Sequence, residues 1–320
     1  MRGALIQCRG DWAFYGEVFA FPKHNEAINM CWMCAASTTI PELRYTDVPA
    51  ASRWRATIRT HESYLAELRA VSKPIPTLLD KVIGFRLEHV MVDALHIVDL
   101  GVAAHIIGNS CLEIMQLGQW GSAQSEQLEA LSSDIASWYK KTKSSKKKKL
   151  QGKLTIDRLR SSKSWPKLKA KAAATRHLAA YAATLCQQYD DGSRHARNRR
   201  AVAELLARFY EIIGGEGMSL TTEAKRALPE LGRRLCVLYN ALSFEAAEQN
   251  VRKWKMVPKF HLFLHLCEIQ ALRFGNPRFY WTYADEDMVG HMTEIGKSCH
   301  PRTVALTAMY KWLVLSFPKK

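Results

Sequence analysis

Hard divalent cations take oxygen ligands, and two of them held about 4 Å apart polarise both the attacking and the leaving oxygen in phosphoryl transfer. Carboxylates delivered from separate, rigid elements serve such chemistry. Asp11 follows the apolar run 4–8 (ALIQC), and Glu286 opens a helical stretch after the aromatic run Phe279-Tyr280-Trp281-Thr282-Tyr283. Asp93 and Asp99 flank a third place, where Asp93-Ala94-Leu95-His96 puts a histidine three residues past an acid. That pair also reads as a core histidine hydrogen-bonded to a carboxylate.

A second chemistry lies in Cys31-Trp32-Met33-Cys34. Cys-x-x-Cys is half of a zinc site, since Zn²⁺ takes four sulfur, nitrogen or oxygen ligands. Cys8, His24, His61 and His96 are the candidates for the other half, with packed thiols as the alternative. His261 and His265 sit at i and i+4, a spacing that can bind metal. With Leu262-Phe263-Leu264 between them and no acid, they read as buried structural residues. The other cysteines are scattered and read as reduced, mostly buried thiols.

The third feature is charge. The net charge is +16, and residues 140–176 hold fifteen Lys and Arg against the single acid Asp157, a net of +14. The protein is a near-neutral body with one basic segment. Such a segment binds a polyanion by releasing counterions, or acts as a nuclear import signal, or is simply a solvated loop. Lys146, Lys147, Lys148, Lys149, Lys167, Lys169 and Lys171 are the candidate phosphate contacts. Arg194, Arg197, Arg199 and Arg200 open the next helix and extend that surface if the two helices are antiparallel neighbours. Trp165 either stacks on an unpaired base or anchors the segment.

Several elements must position these groups. The run 4–8 reads as a buried strand, and 87–98 as a β-branched strand leading into a helix over 101–117. Beyond the basic run the chain reads as helical, over 167–189, 194–213, 221–243, 246–254 and 260–270, with Gly192, the 214–217 glycine cluster and Pro258 as breakers. Residues 280–283 read as extended, and 286–297 and 303–315 as helices. The composition, 48% hydrophobic and 24% charged, excludes a disordered or fibrous chain. Acids and histidines interrupt the stretch 90–107, and Lys311 the run 305–317. A membrane span needs about 20 unbroken apolar residues, so no membrane partner is expected. The N-terminus shows no signal-peptide core.

Taken in order, four stretches resemble the catalytic region of CACTA-type transposases, a group of the CMC superfamily of DDE enzymes. They are ALIQCRGDWAFYGEVFAFP…MCWMCAA, RWRATIRTHESYL, VDALHIVDLGVAAHI and VPKFHLFLHLCEI…GNPRFYWTYADEDMVGHM. The resemblance spans most of 1–117 and 256–315; the helical middle matches no motif. It implies an RNase H-like fold, with Asp11 as the second Asp of the triad, Glu286 as its Glu, and Mg²⁺ or Mn²⁺ between them. Asp93 and His96 would form an accessory pair. The family's first Asp lies on an earlier strand than any seen here, so the expectation is an N-terminally truncated form.

The resulting expectation is an α/β protein, mostly helical by residue count, with a partial RNase H-like core interrupted by a large all-α insertion. Its parts are 1–120, an insertion over 121–255 with the basic segment 140–176, and a return over 256–320 carrying the catalytic helix. The expected function is DNA binding of the transposase type in the nucleus, as a monomer or homo-oligomer, with Zn²⁺ as a second metal. A non-catalytic nucleic-acid-binding or domesticated relative is the alternative. A helical scaffold with no nucleic-acid role is the third reading.

Overall fold

In the computed structural model, residues 7–23, 26, 28–160 and 164–316 are described. The main helices are α1 (Trp12–Val18), α2 (His61–Ala70), α3 (Leu95–Met115), α4 (Gln124–Lys141), α5 (Ala172–Gln188), α6 (Arg194–Gly215) and α7 (Thr222–Glu248). Then α8 runs from Pro258–His265 through a wide turn, Leu266–Gln270, into Ala271–Phe274, followed by α9 (Tyr283–Lys297) and α10 (Val304–Ser316).

No β-strand occurs among the described residues. Only two isolated bridges do, Cys8 with Val90 and Ser37 with Arg44. The all-α architecture overturns the expected α/β class and the RNase H-like sheet. The physical reason lies in the segment 87–98. A continuous apolar run cannot be told from a buried helix by periodicity alone, and here a capping acid decides. The Asp93 carboxylate accepts from the backbone N–H of Leu95 (3.1 Å) and of His96 (3.0 Å), which starts a helix three residues after the bridge at Val90. Leu87–His89 is a 3₁₀ turn. Of the apolar run 4–8, residues 4–6 lie outside the described residues, and Cys8 makes the bridge by donating to His89 O (2.7 Å) and accepting from Met91 N (2.9 Å). The stretch 280–283 is not extended either; it joins the 3₁₀ turn Pro277–Phe279 to α9.

Helix α3 is apolar on nearly every face, and a helix of that kind must be buried. It is long and apolar enough to cross a membrane by length and composition alone, yet nearly all of it is buried inside this fold, where it is the central helix. Its first half, Leu95–Ala103, is a π-helix. Most of the polar groups it carries inward are paired, as buried polar groups usually are, Ser110 Oγ being the exception among the described residues. His105 Nδ1 lies 3.1 Å from Pro166 O, Asn109 accepts from Trp254 N (2.7 Å), and Glu113 accepts from Trp254 Nε1 (2.7 Å) and meets His195 (2.9 Å).

Helices α5, α6 and α7 follow as antiparallel neighbours, and α7, which runs through Pro229, continues unbroken to Glu248 where separate helices over 221–243 and 246–254 were expected. The buried core is a single cluster that includes residues from Tyr15 to Tyr280. The basic segment is not a free loop. Leu154, Leu159 and Leu168 are buried, and Leu168 N donates to Ala104 O (2.8 Å) on α3. Gly108 makes this approach possible, since a Cβ there would stand 2.7–2.8 Å from backbone atoms of Lys167 and Leu168.

Candidate functional site

Cys31 and Cys34 lie in a buried loop before α2. His261 and His265 lie on one face of α8, a turn apart. The fold brings these four together: their ligand atoms all fall within 4.8 Å of one another, and all four residues are buried. Cys34 Sγ is 3.2 Å from His261 Nε2 and 3.4 Å from His265 Nε2, and the two Nε2 atoms are 3.0 Å apart. A zinc tetrahedron with bonds of about 2.0–2.3 Å has edges of roughly 3.3–3.8 Å. Those three separations lie at or just under that range while the whole set spans up to 4.8 Å, so small side-chain shifts, outward for the imidazoles and inward across the widest edge, bring the four onto one ion.

The electrostatics point the same way. Burial by itself raises both thiols. Cys34, His265 and His261 nevertheless hold Cys31 well below the ordinary thiol range, while burial and the facing Cys31 keep Cys34 well above it. One thiolate against two imidazoles is the state that a soft dication completes. Arg59 braces the loop from outside, its Nη1 donating to Cys31 O (3.0 Å) and Cys34 O, while the Trp54 ring meets both imidazoles edge-on at 4.5 and 5.2 Å. With four protein ligands and no open position, this is the pattern of a structural site.

His261 and His265 are buried, as the sequence leads one to expect, and the fold also sets them against Cys31 and Cys34, so that the four could hold one metal ion. The other candidates are elsewhere: Cys8 is bridged to Val90, His61 accepts from Leu87 N (3.1 Å), and His96 is paired with Asp93. His24 lies outside the described residues. The two halves were each visible as a pair of ligands at metal-binding spacing, and the missing signal was that each lacked the other's two.

The acids meet around His96. Asp93 Oδ2 lies 2.6 Å from His96 Nδ1, and Glu286 Oε1 lies 3.6 Å from Nε2. His96 loses stabilisation of its charged form by burial, but Asp93, Asp11 and Glu286 together raise its pKa above the ordinary value. Asp11 and Glu286, from opposite ends of the chain, thus act on one imidazole. The ion pair Arg9–Asp285 (3.3 Å) joins the same two segments.

The roles of these acids differ. Asp93 is buried and spent on structure, since it also accepts from Thr282 N (2.9 Å) and Thr282 Oγ1 (2.8 Å). Burial raises its pKa, but His96 and Thr282 outweigh that and leave it below the usual value. Asp11 caps α1, accepting from Phe14 N at 2.7 Å. Glu286 is largely exposed. Asp99 is elsewhere, buried between the hydroxyls of Tyr210 (2.5 Å) and Tyr283 (2.5 Å). Among the described residues the Cys₂His₂ set is the group of three or more such ligands that converges on a metal position. The expected Mg²⁺ or Mn²⁺ site at Asp11 and Glu286 has no such convergence behind it.

A lysine set borders the acids. Lys259 donates to His96 O at 2.7 Å, and burial together with nearby Lys167 lowers its pKa to about 8, against Asp93 and Asp11. Its stem lies where a Cβ on Gly101 would stand, 2.5 Å from Lys259 Cδ. Lys259 is not among the candidate site residues of the sequence, although it lies in the stretch VPKFHLFLHLCEI.

The basic candidates separate into two groups. Lys146, Lys147 and Lys148 form an exposed 3₁₀ turn, and Lys171 and Arg197 are exposed. Lys149 lies over the Tyr139 ring, and Lys169 pairs with Asp157 (2.8 Å). Arg199 is buried, 3.4 Å from Glu113 and donating to Tyr189 O (2.8 Å), and Arg200 pairs with Asp190 (2.5 Å). These two hold the fold and present no free charge to a ligand. Trp165 has Lys255 over its ring at 5.6 Å. No protein-family model matches this chain, and no curated protein matches it.

Proposed function

We propose that this chain is a nucleic-acid-binding protein whose resident metal is zinc, held by Cys31, Cys34, His261 and His265. The observation that carries the binding reading is the unneutralised charge of segment 140–176. Among the described residues, Lys169 alone in that segment makes an ion pair with a carboxylate. The segment is nevertheless docked on α3, so its charge is presented from a fixed surface and not from a loose tail. A fixed array of uncompensated lysines attracts a phosphate backbone and gains affinity by releasing its counterions. Zinc, when bound, supplies a cross-link between the loop at 31–34 and α8, and no chemistry on a substrate.

A second reading, strand cleavage and transfer of the CACTA-transposase type, is favoured by one observation. Asp11 and Glu286 both act on His96, with Lys259 and Lys167 beside them. Lysines next to carboxylates suit a phosphodiester, whose charge the lysines balance while the acids face the reacting bond.

The test is binding of duplex DNA as a function of salt. Log K should fall linearly with log salt, and Lys146→Gln, Lys147→Gln and Lys149→Gln together should flatten the slope and weaken binding equally on unrelated sequences. A wild-type affinity that does not change with salt would remove the binding reading. Nicking by the wild type that Glu286→Gln abolishes, with binding intact, would favour the second reading. Nicking that survives Glu286→Gln would discard it.

A further inference from the structure

A pocket of about 450 Å³ opens beside α5 and α6. That is within the range of ligand sites, about 300–1,000 Å³. Its cations come from three separate places: Lys148 from the basic turn, Arg176 from α5 and Arg278 from the turn before α9. The acid in its wall, Glu211, is already engaged by Arg208 at 3.1 Å. Part of the rest is small and apolar, with Ala180 and Ala207 lining the pocket together with Trp281.

Arg176 is the central feature. Its guanidinium lies over the rings of Trp281 (4.5 Å) and Tyr283 (4.8 Å), so its plane is fixed before any ligand arrives. Its Nη1 is buried and has no hydrogen-bond partner among the described residues. A buried donor on a charged group without a partner is costly, and a planar guanidinium fork matches phosphate oxygens two at a time. His177 next to it has its pKa lowered by burial, Lys148 and Arg176, which places those two cations close to the same imidazole.

We infer that this pocket binds a phosphate monoester of nucleotide size, its terminal phosphoryl group on Arg176, Lys148 and Arg278 and its apolar part against Trp281 and the alanine wall. A monoester dianion suits three cations better than a singly charged diester does. The ligand is a free nucleotide or the 5′-phosphorylated end of a strand, and the phosphoryl chemistry is the same in both. The inference stands apart from DNA binding by Lys146, Lys147 and Lys149, and either can fail alone.

The experiment uses the full chain with adenosine 5′-monophosphate, followed by calorimetry and by NMR titration of the His177 imidazole. Binding should raise the His177 pKa, and Arg176→Gln should weaken affinity at least tenfold. Arg278→Gln, away from the stacked rings, should weaken it severalfold in a chain whose melting temperature is unchanged. A 5′-phosphorylated oligonucleotide that outbinds its 5′-hydroxyl counterpart marks the strand end as the source. Equal binding of the two oligonucleotides, with adenosine 5′-monophosphate still bound, marks the free nucleotide. No binding of adenosine 5′-monophosphate at millimolar concentration, or binding indifferent to both substitutions, would overturn the inference.

Discussion

Cys34 Sγ lies 3.4 Å from His265 Nε2, although 231 positions separate the two residues. This contact ties the N-terminal third of the chain to α8, and it sets the first prediction. The purified protein should carry one zinc per chain. Cys34→Ser and His261→Ala should each lose the metal and lower the melting temperature by about 5 °C or more, because each 1 kcal/mol is worth roughly 2–4 °C in a chain of 150–250 residues and somewhat less in a longer one. Elemental analysis and calorimetry check both. A full complement of zinc in Cys34→Ser would move the site elsewhere.

Glu286 faces His96 Nε2 at 3.6 Å, and its charge helps raise the His96 pKa above the ordinary 6.5. The stability from a raised imidazole is fully present below the unfolded value and is lost as pH rises through the folded one. Glu286→Gln should lower the His96 pKa and shift that loss to lower pH. NMR titration of the imidazole is the measurement. An unmoved titration would mean that Glu286 does not face His96 in solution.

Asp99 gives a pH dependence of its own. Burial pushes its carboxyl up to about 7, against the pull of the Tyr210 and Tyr283 hydroxyls and of Arg176. The ordinary value is 3.8. Between about pH 4 and 7 the folded chain keeps a proton that the unfolded chain has released, so this group's contribution to stability falls as pH rises across that window. Asp99→Asn should remove that component. Urea midpoints at pH 5 and pH 8 should lie closer together in the variant than in the wild type, and an unchanged gap would refute the assignment.

Gly108 and Gly101 separate two kinds of close approach. A Cβ at Gly108 meets backbone at 2.7–2.8 Å, whereas at Gly101 its nearest neighbour is the flexible stem of Lys259 at 2.5 Å. Gly108→Ala should cost about 1–3 kcal/mol, as overpacking does, and should weaken DNA binding by displacing the basic segment. Gly101→Ala should cost less, because the lysine stem can move. Equal losses for the two would show that the basic segment is not docked through Gly108.

The sequence by itself determined the helical middle and return of the chain, because amphipathic spacing and the breakers at Gly192 and 214–217 are local signals. It also determined the basic segment, which is a matter of composition, and the metal-ligand spacing within Cys31/Cys34 and within His261/His265, although the histidines read as structural residues. The tertiary structure decided the rest. Whether 87–98 is strand or helix turned on Asp93, whose carboxylate caps Leu95 and His96 while holding Thr282 from the far end of the chain. Which histidines join the cysteines turned on how α8 packs beside the 31–34 loop. Which arginines are free turned on long-range pairing, since Arg199 is consumed by Glu113 on α3. Each of these is a contact between segments distant in sequence, and no local pattern encodes it, because the energy of such a contact exists only once the chain has brought both partners out of water.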